Sequence, residues 1–354
     1  MEKLLKIGIT QGDINGISYE VIIKTLADPR VLELCTPIIY GSSKALGYYK
    51  KLLDLDHLSI NIIKHPSEAN SKRINVINCG TEEPKVEMGQ ATPESGLSAY
   101  LALEAATNAI QAGDIHALVT APINKSNMPA DKFPFAGHTE YLEHQANSTK
   151  SLMILMSGNT RIALATNHVA VAKIAESITE ELILEKLHTL NASLKQDFCI
   201  IKPRIAVFGL NPHAGDNGLF GNEEKEIIIP AIQKANEQGI LCVGPLAADG
   251  FFGSDNTRHF DGILAMYHDQ GLTAFKALYM DDGVNFTAGL PFIRTSPAHG
   301  TAYDLVGQNK ANENSFRQAL YAACDIVRNR KLFVEISKNP LKVEDMRSSY
   351  RKNE

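Results

Sequence analysis

Short apolar runs rich in β-branched residues alternate along this chain with segments in which apolar residues recur every three or four positions. The runs predict strands near Lys6–Thr10, Pro37–Gly41, Ile60–Lys64, Asn75–Cys79, Ala117–Pro122 and Leu152–Ser157. The periodic segments predict helices over Tyr19–Ala27, Lys44–Leu53, Pro93–Ala112, Glu180–Leu194, Glu223–Gln238 and Asn314–Asn329. Thr92 before Pro93 suits a helix start, as does Thr179 before two glutamates, and Gly113 and Gly239 suit helix ends. Strand and helix in alternation mean βαβ units and a largely parallel sheet.

Three further strand-like stretches each run into a histidine: Arg161 to His168, Arg204 to His213 and Gly262 to His268. Carboxyl ends of parallel strands converge on one edge of a sheet, so residues distant in sequence meet in one crevice. Each histidine by itself reads most simply as a satisfied loop or core group. Repetition at equivalent places points instead to a divalent-metal site with an open coordination position. Without thiolates in the set, zinc, cobalt, manganese, nickel or iron all suit it. Asp269, beside His268, is either a partner orienting an imidazole or an ordinary surface acid.

A chain of 354 residues with 44% hydrophobic content can build substantial cores. A net charge of -5 gives no attraction for nucleic acid or an anionic membrane, which favours a small-molecule ligand. Five scattered cysteines without a C-x-x-C pair fit reduced thiols. With neither a signal peptide nor a long apolar span in view, a soluble cytoplasmic protein is expected.

In Ala136-Gly137-His138-Thr139-Glu140, an imidazole and a hydroxyl stand at an expected helix start, where free N–H groups favour an anion. Lys276, Asn285 and Arg294 are spaced to lie on a helix, a strand and a loop, a donor set suited to phosphate and carboxylate. Gly12-Asp13-Ile14-Asn15-Gly16 has the wrong spacing for a Rossmann fingerprint, so a dinucleotide has to bind in another way. The remaining constellation is Ser296-Pro297-Ala298-His299-Gly300-Thr301-Ala302-Tyr303-Asp304-Leu305, followed by Gly307 and Asn312.

Together, GDINGI, AGHTEYL, ATNH, NPHAGD, MYHDQG and SPAHGTAYDL resemble the 4-hydroxythreonine-4-phosphate dehydrogenase family of vitamin B6 biosynthesis over nearly the whole chain. The resemblance implies two intertwined α/β/α domains of the isocitrate/isopropylmalate dehydrogenase-like fold, with the active site in the cleft between them. Residues 1–20 and 138–290 would form the metal- and substrate-binding, dimer-forming domain. Residues 21–137 and 291–354 would contribute the NAD site, and loops near Gly137 and Gly289 would carry the crossings.

Residue by residue, it implies metal ligation by His168, His213 and His268 and substrate contact by His138, Thr139, Lys276, Asn285 and Arg294. Lys276 is the candidate for proton transfer or for an anion clamp. His299, Gly300, Thr301, Asp304 and Asn312 are the expected NAD or NADP contacts. The expected assembly is a homodimer with shared sites, each holding one zinc, magnesium, cobalt or manganese ion and taking its third histidine, His268, from the partner subunit. The implied reaction is oxidation of 4-phosphohydroxy-L-threonine with NAD, followed by loss of carbon dioxide. Alternatives are a threonate or erythronate 4-phosphate dehydrogenase on the same scaffold and, from another class, a metal-dependent hydrolase. The chain departs from the family in its first loop, where Ile14, Ser18 and Tyr19 replace the usual Pro and Gly-Pro, leaving the shape of that loop open.

Overall fold

The computed structural model describes residues 4–80, 84–148 and 150–339. Among them, twelve strands form one sheet: β1 Leu5–Thr10, β2 Cys35–Gly41, β3 Ile60–Ile63, β4 Ile74–Asn78, β5 Ala117–Thr120, β6 Leu152–Ser157, β7 Thr160–Leu164, β8 Ile205–Phe208, β9 Cys242–Leu246, β10 Gly262–Ala265, β11 Val284–Ala288 and β12 Arg294–Pro297. Their order is β3-β4-β2-β1-β5-β12-β11-β6-β7-β10-β8-β9. From β3 to β12 neighbours are parallel, as they are from β7 to β9. Between these blocks β12, β11, β6 and β7 pair antiparallel in turn.

Both faces of the sheet are covered, as strands without a polar face require. Alternate residues of one strand enter different cores. Ala117 and Val119 belong to one cluster and Leu118 to a second; Ile205 and Val207 join the first, whereas Ala206 and Phe208 join a third.

The long helices stand where the periodicity places them, at Ser18–Leu26, Ser43–Leu52, Pro93–Gln111 and Glu180–Gln196. Thr92 and Thr179 cap their helices, each hydroxyl accepting a backbone N–H at 3.2 Å. Gly113 and Gly239 take the left-handed conformation past helix ends, with φ of 77° and 81°. Two segments differ in detail. Glu223–Gln238 opens as a π turn, Glu224–Ile228, before continuing over Ile229–Glu237, and the last helix runs to Ile336, seven residues past its expected end at Asn329.

β1 pairs with β2 and β5, inside the block formed by 21–137. Edge hydrogen bonds, which no periodicity specifies, decide which strand neighbours which. Residues 340–354 of the expected second domain lie outside the described residues.

Candidate active site

A cleft of about 230 Å³ opens where the antiparallel centre meets the parallel blocks. Its floor follows from strand alternation: Asn285 of β11 is opposite Leu155 of β6, and Met153 and Leu155 share its side of the sheet. One wall is a face of the helix His268–Tyr279, where His268, Leu272 and Lys276 recur at four-residue spacing. The opposite wall begins at the helix His138–Gln145, whose preceding Gly137 offers no side-chain cap and whose first turn has the Glu140 carboxylate beside it.

Of the expected substrate contacts, His138, Thr139, Lys276, Asn285 and Arg294 all line this one cleft. Arg294 opens β12 and is not in a loop: Leu118 of β5 and Thr287 of β11 are its register partners. It is 3% exposed, and among the described residues it makes no ion pair, the Glu140 carboxylate acting on it only through its charge. Its Nε and Nη2 donate to Thr120 Oγ1 at 3.0 and 2.7 Å, and Nη1 donates to Thr287 Oγ1 at 3.1 Å. Burial pushes the guanidinium pKa down to about 10. A buried cation held only by neutral hydroxyls is a costly arrangement that an anionic ligand relieves.

Several buried polar atoms in the cleft have no partner: His138 Nε2, Glu140 Oε2, Asn285 Oδ1 and His299 Nε2. Native proteins satisfy most such groups, so these mark where a polar ligand completes the structure. Burial first, then the charges of Arg294 and Lys125, holds His138 well below the ordinary histidine range. It is therefore a neutral ring at physiological pH.

The three histidines of the expected metal set are divided. His168 and His268 face each other with ring centroids 5.9 Å apart. His168 Nδ1 donates to Glu140 Oε1 at 3.1 Å, and that hydrogen bond holds the Glu140 carboxyl below its ordinary range. His268 Nδ1 pairs with Asp269 Oδ1 at 2.7 Å, which gives Asp269 the orienting use. A carboxylate on Nδ1 leaves Nε2 as the lone-pair nitrogen, the tautomer that a metal requires, so the donor chemistry of this pair fits a divalent cation.

His213 lies apart from them, in a separate depression with Asn211, Asp249, Tyr267 and Gln270. Among the described residues no three metal-donor side chains cluster. The expectation that His268 is the ligand set apart is thus corrected. β7 and β10 are adjacent parallel strands, which brings His168 and His268 together. After β8 the chain instead enters a turn in which residues 213–217 all have positive φ, and His213 is carried elsewhere. The Glu224 carboxylate anchors the entry to this strained turn by accepting the N–H groups of Leu210 and Asn211 at 2.8 and 2.7 Å.

Of the expected cofactor loop, His299 and Gly300 reach the cleft, while Thr301, Asp304 and Asn312 do not line it. The loop instead lies against the first loop of the chain. Ile17 N–H donates to Thr301 O at 3.0 Å, and a Cβ on Gly16 would stand 2.6 Å from the same oxygen. Only glycine permits that approach.

Lys125 and Glu140 line the cleft without having been singled out by sequence reasoning, and Asp13 and Tyr303 tie together the loops beside it. Buried Asp13 accepts from Tyr303 Oη at 2.7 Å and from Asn127 Nδ2 at 2.9 Å. The unusual first-loop residues are buried as well: Ile14 in the core, Ser18 donating to Pro122 O, and Tyr19 donating to Gln11 Oε1 at 2.7 Å. A buried polar residue inside an otherwise ordinary loop motif was the available signal for this node.

The architecture is that of the isocitrate dehydrogenase-like α/β enzymes. Isocitrate dehydrogenase from Methylococcus capsulatus shares the fold with a TM-score of 0.51 at 10% identity, over 95% of this chain and 89% of its own. The chain belongs to the family of the pyridoxal phosphate biosynthetic protein PdxA, whose family model matches residues 33–323. It is 57% identical to a 4-hydroxythreonine-4-phosphate dehydrogenase of Bacteroides thetaiotaomicron, over 96% of this chain and 94% of the relative. A crystal structure of a 4-hydroxythreonine-4-phosphate dehydrogenase from Burkholderia phymatum superposes with a TM-score of 0.77 at 37% identity, covering 92% of this chain and 99% of that one. A provisionally named D-threonate 4-phosphate dehydrogenase of Oceanobacillus iheyensis is 38% identical over 92% of this chain and 99% of its own. This membership makes the chain an oxidoreductase of a pyridoxine-biosynthetic family. No helix among the described residues is long and apolar enough to cross a membrane.

Proposed function

We propose that the enzyme oxidises 4-phosphohydroxy-L-threonine with NAD or NADP to 2-amino-3-oxo-4-phosphooxybutanoate, which loses carbon dioxide to give 3-amino-2-oxopropyl phosphate. The observation that carries this reading is the buried Arg294, hydrogen-bonded to threonine hydroxyls, in one cleft with the facing His168 and His268, which suits an anion beside a cation. The 57% identical relative supports the substrate.

His168 and His268 would hold a zinc, magnesium, cobalt or manganese ion, with His213 of the partner subunit completing the set in a cytoplasmic homodimer. When bound, the cation supplies Lewis acidity for loss of hydride from the secondary alcohol and then for loss of carbon dioxide. Arg294 and Asn285 grip the anionic and hydroxyl groups and hold the reacting carbon in one orientation. His138, kept neutral, offers a lone pair or an N–H without adding charge. Lys276, the exposed lysine two turns along the helix from His268, clamps an anion as an ammonium or, as the neutral amine, takes the alcohol proton at Nζ. His299, Gly300, Thr301, Asp304 and Asn312 would contact the dinucleotide.

A second reading, oxidation of threonate 4-phosphate, has the support of the 38% identical relative so named. Turnover of purified enzyme with 4-phosphohydroxy-threonine and with threonate and erythronate 4-phosphates, each with NAD and NADP and with each metal restored after chelation, tests both. Preference for an aldonate phosphate selects the second reading. Absence of nicotinamide reduction with all three substrates removes both.

A further inference from the structure

We propose that Glu224 is a positioning residue for His213: its buried carboxylate, with Glu223 and Lys225 beside it, holds the left-handed turn that presents this imidazole to the metal site of a partner subunit. The proposal rests on the function proposed above, which gives His213 that task. His213 is exposed and opens a run of five consecutive residues whose φ lies between 39° and 77°. Gly215 is the one glycine among them. Other L-residues avoid this conformation, and asparagine or aspartate enters it singly, so such a run persists only where its surroundings over-determine it. Among the described residues the His213 ring makes no hydrogen bond, and its aromatic neighbour, Phe220, is 6.2 Å away between centroids and itself 45% exposed. The turn alone therefore aims the imidazole.

What holds the turn is a single short stretch of chain. Glu224 Oε1 accepts the N–H groups of Leu210 and Asn211 at 2.8 and 2.7 Å, while Oε2 accepts Asn211 Nδ2 at 3.0 Å. Glu223 Oε2 accepts the same Nδ2 at 2.7 Å, and Lys225 Nζ donates to the carbonyl of Asn217, the last residue of the run. Entry and exit are thus both tied. The backbone also closes around the acid: a Cβ on Gly209 would stand 3.1 Å from Glu224 Oε1, and one on Gly215 would stand 2.5 Å from Oε2. Glycine at both places lets the chain approach the carboxylate from two sides. Glu224 is 3% exposed, so water does not compete for its oxygens.

The second observation is the winding of the helix that carries this clasp. Glu224 opens the π turn Glu224–Ile228, and Pro230 follows at the start of the α-helical part. Pro230 has no N–H to give the carbonyl of Glu226 four residues before it, so the α pattern is broken there. Single π turns inside helices are found mostly at functional sites. A ligand that has to reach the His168 and His268 pair of another subunit gains from a backbone fixed beforehand, because ordering a mobile loop on binding subtracts from affinity. The clasp supplies that order before the metal arrives.

The test uses the full-length protein, stripped by chelation, with zinc as the probe and its dissociation constant read by calorimetry. Glu224→Ala should raise that constant about 10- to 100-fold, the range for groups that orient a metal ligand. Glu224→Gln keeps an oxygen for both N–H groups and should recover most of the affinity. Lys225→Met alters an exposed side chain at the exit of the turn and should give a smaller rise, which keeps the test open if Glu224→Ala does not fold. Because Glu224 acts through His213, adding Glu224→Ala to His213→Ala should cost no further zinc affinity. Unchanged affinity in Glu224→Ala, or in Lys225→Met where the first variant does not fold, overturns the proposal. So does a further loss in the double variant, which would mark a general structural role. Unchanged affinity in His213→Ala alone would instead overturn the assignment of His213 to the metal, and the proposal with it.

Discussion

His168 and His268 face each other within one subunit, 5.9 Å between ring centroids, whereas His213 lies in a different depression. The function proposed above therefore draws its third ligand from another chain, and that division can be tested by mixing subunits. In a C2 dimer, His168→Ala and His213→Ala chains, each inactive alone, should restore up to about half the sites when exchanged, because one site then draws three intact histidines. His168→Ala mixed with His268→Ala should restore none, since each chain spoils its own pair. Activity after confirmed heterodimer formation by native mass spectrometry reads the outcome. Recovery in the second mixture and not the first would reverse the assignment.

Arg294 is a buried cation whose partners are two threonine hydroxyls, so function and stability should separate at this residue. Arg294→Met should reduce kcat/KM by on the order of 2 to 5 kcal/mol in transition-state binding. The Tm of the unliganded protein should be equal or higher, because the replacement removes an uncompensated charge from an apolar wall. Calorimetric melting beside steady-state kinetics checks this. A fall in both would mean that Arg294 mainly supports the fold.

His138 ties stability to pH. Its folded pKa lies well below 6.5, so between that lower value and 6.5 the unfolded chain binds more protons than the folded one. Stability is then fully present above the ordinary histidine value and declines as pH falls below it. His299, lowered chiefly by burial, acts in the same direction. Denaturant unfolding should show a free energy that rises with pH up to the ordinary histidine value, and His138→Asn should flatten that rise. An unchanged slope in the variant would show that His138 is charged in the folded protein.

The Tyr19 hydroxyl stands 2.7 Å from Gln11 Oε1 and 2.9 Å from Ser42 O inside the core, its one proton serving the two acceptors. Tyr19→Phe leaves these acceptors short of a donor and should cost about 1 to 3 kcal/mol of stability. No cleft residue is touched, so kcat should hold within about twofold. Chemical denaturation and turnover of the same preparation measure both.

The sequence by itself determined the elements and named part of the cleft's lining. Period-two and helical patterns, with Thr92 and Thr179 as caps and Gly113 and Gly239 as stops, are local properties, because capping and side-chain direction depend on neighbours in the chain. Strand-end histidines and the AGHTEYL start were legible for the same reason. Tertiary structure alone decided three matters. It placed β1 between β2 and β5, because backbone edges pair without regard to side-chain pattern. It set His213 apart through a run of left-handed residues held by Glu224, a strain no spacing reveals. And it brought Asp13, Asn127 and Tyr303 into one hydrogen-bonded node that orders the loops around Lys125. The strength of such contacts lies in burial and mutual geometry, and residues nearly 300 positions apart share neither until the chain has folded.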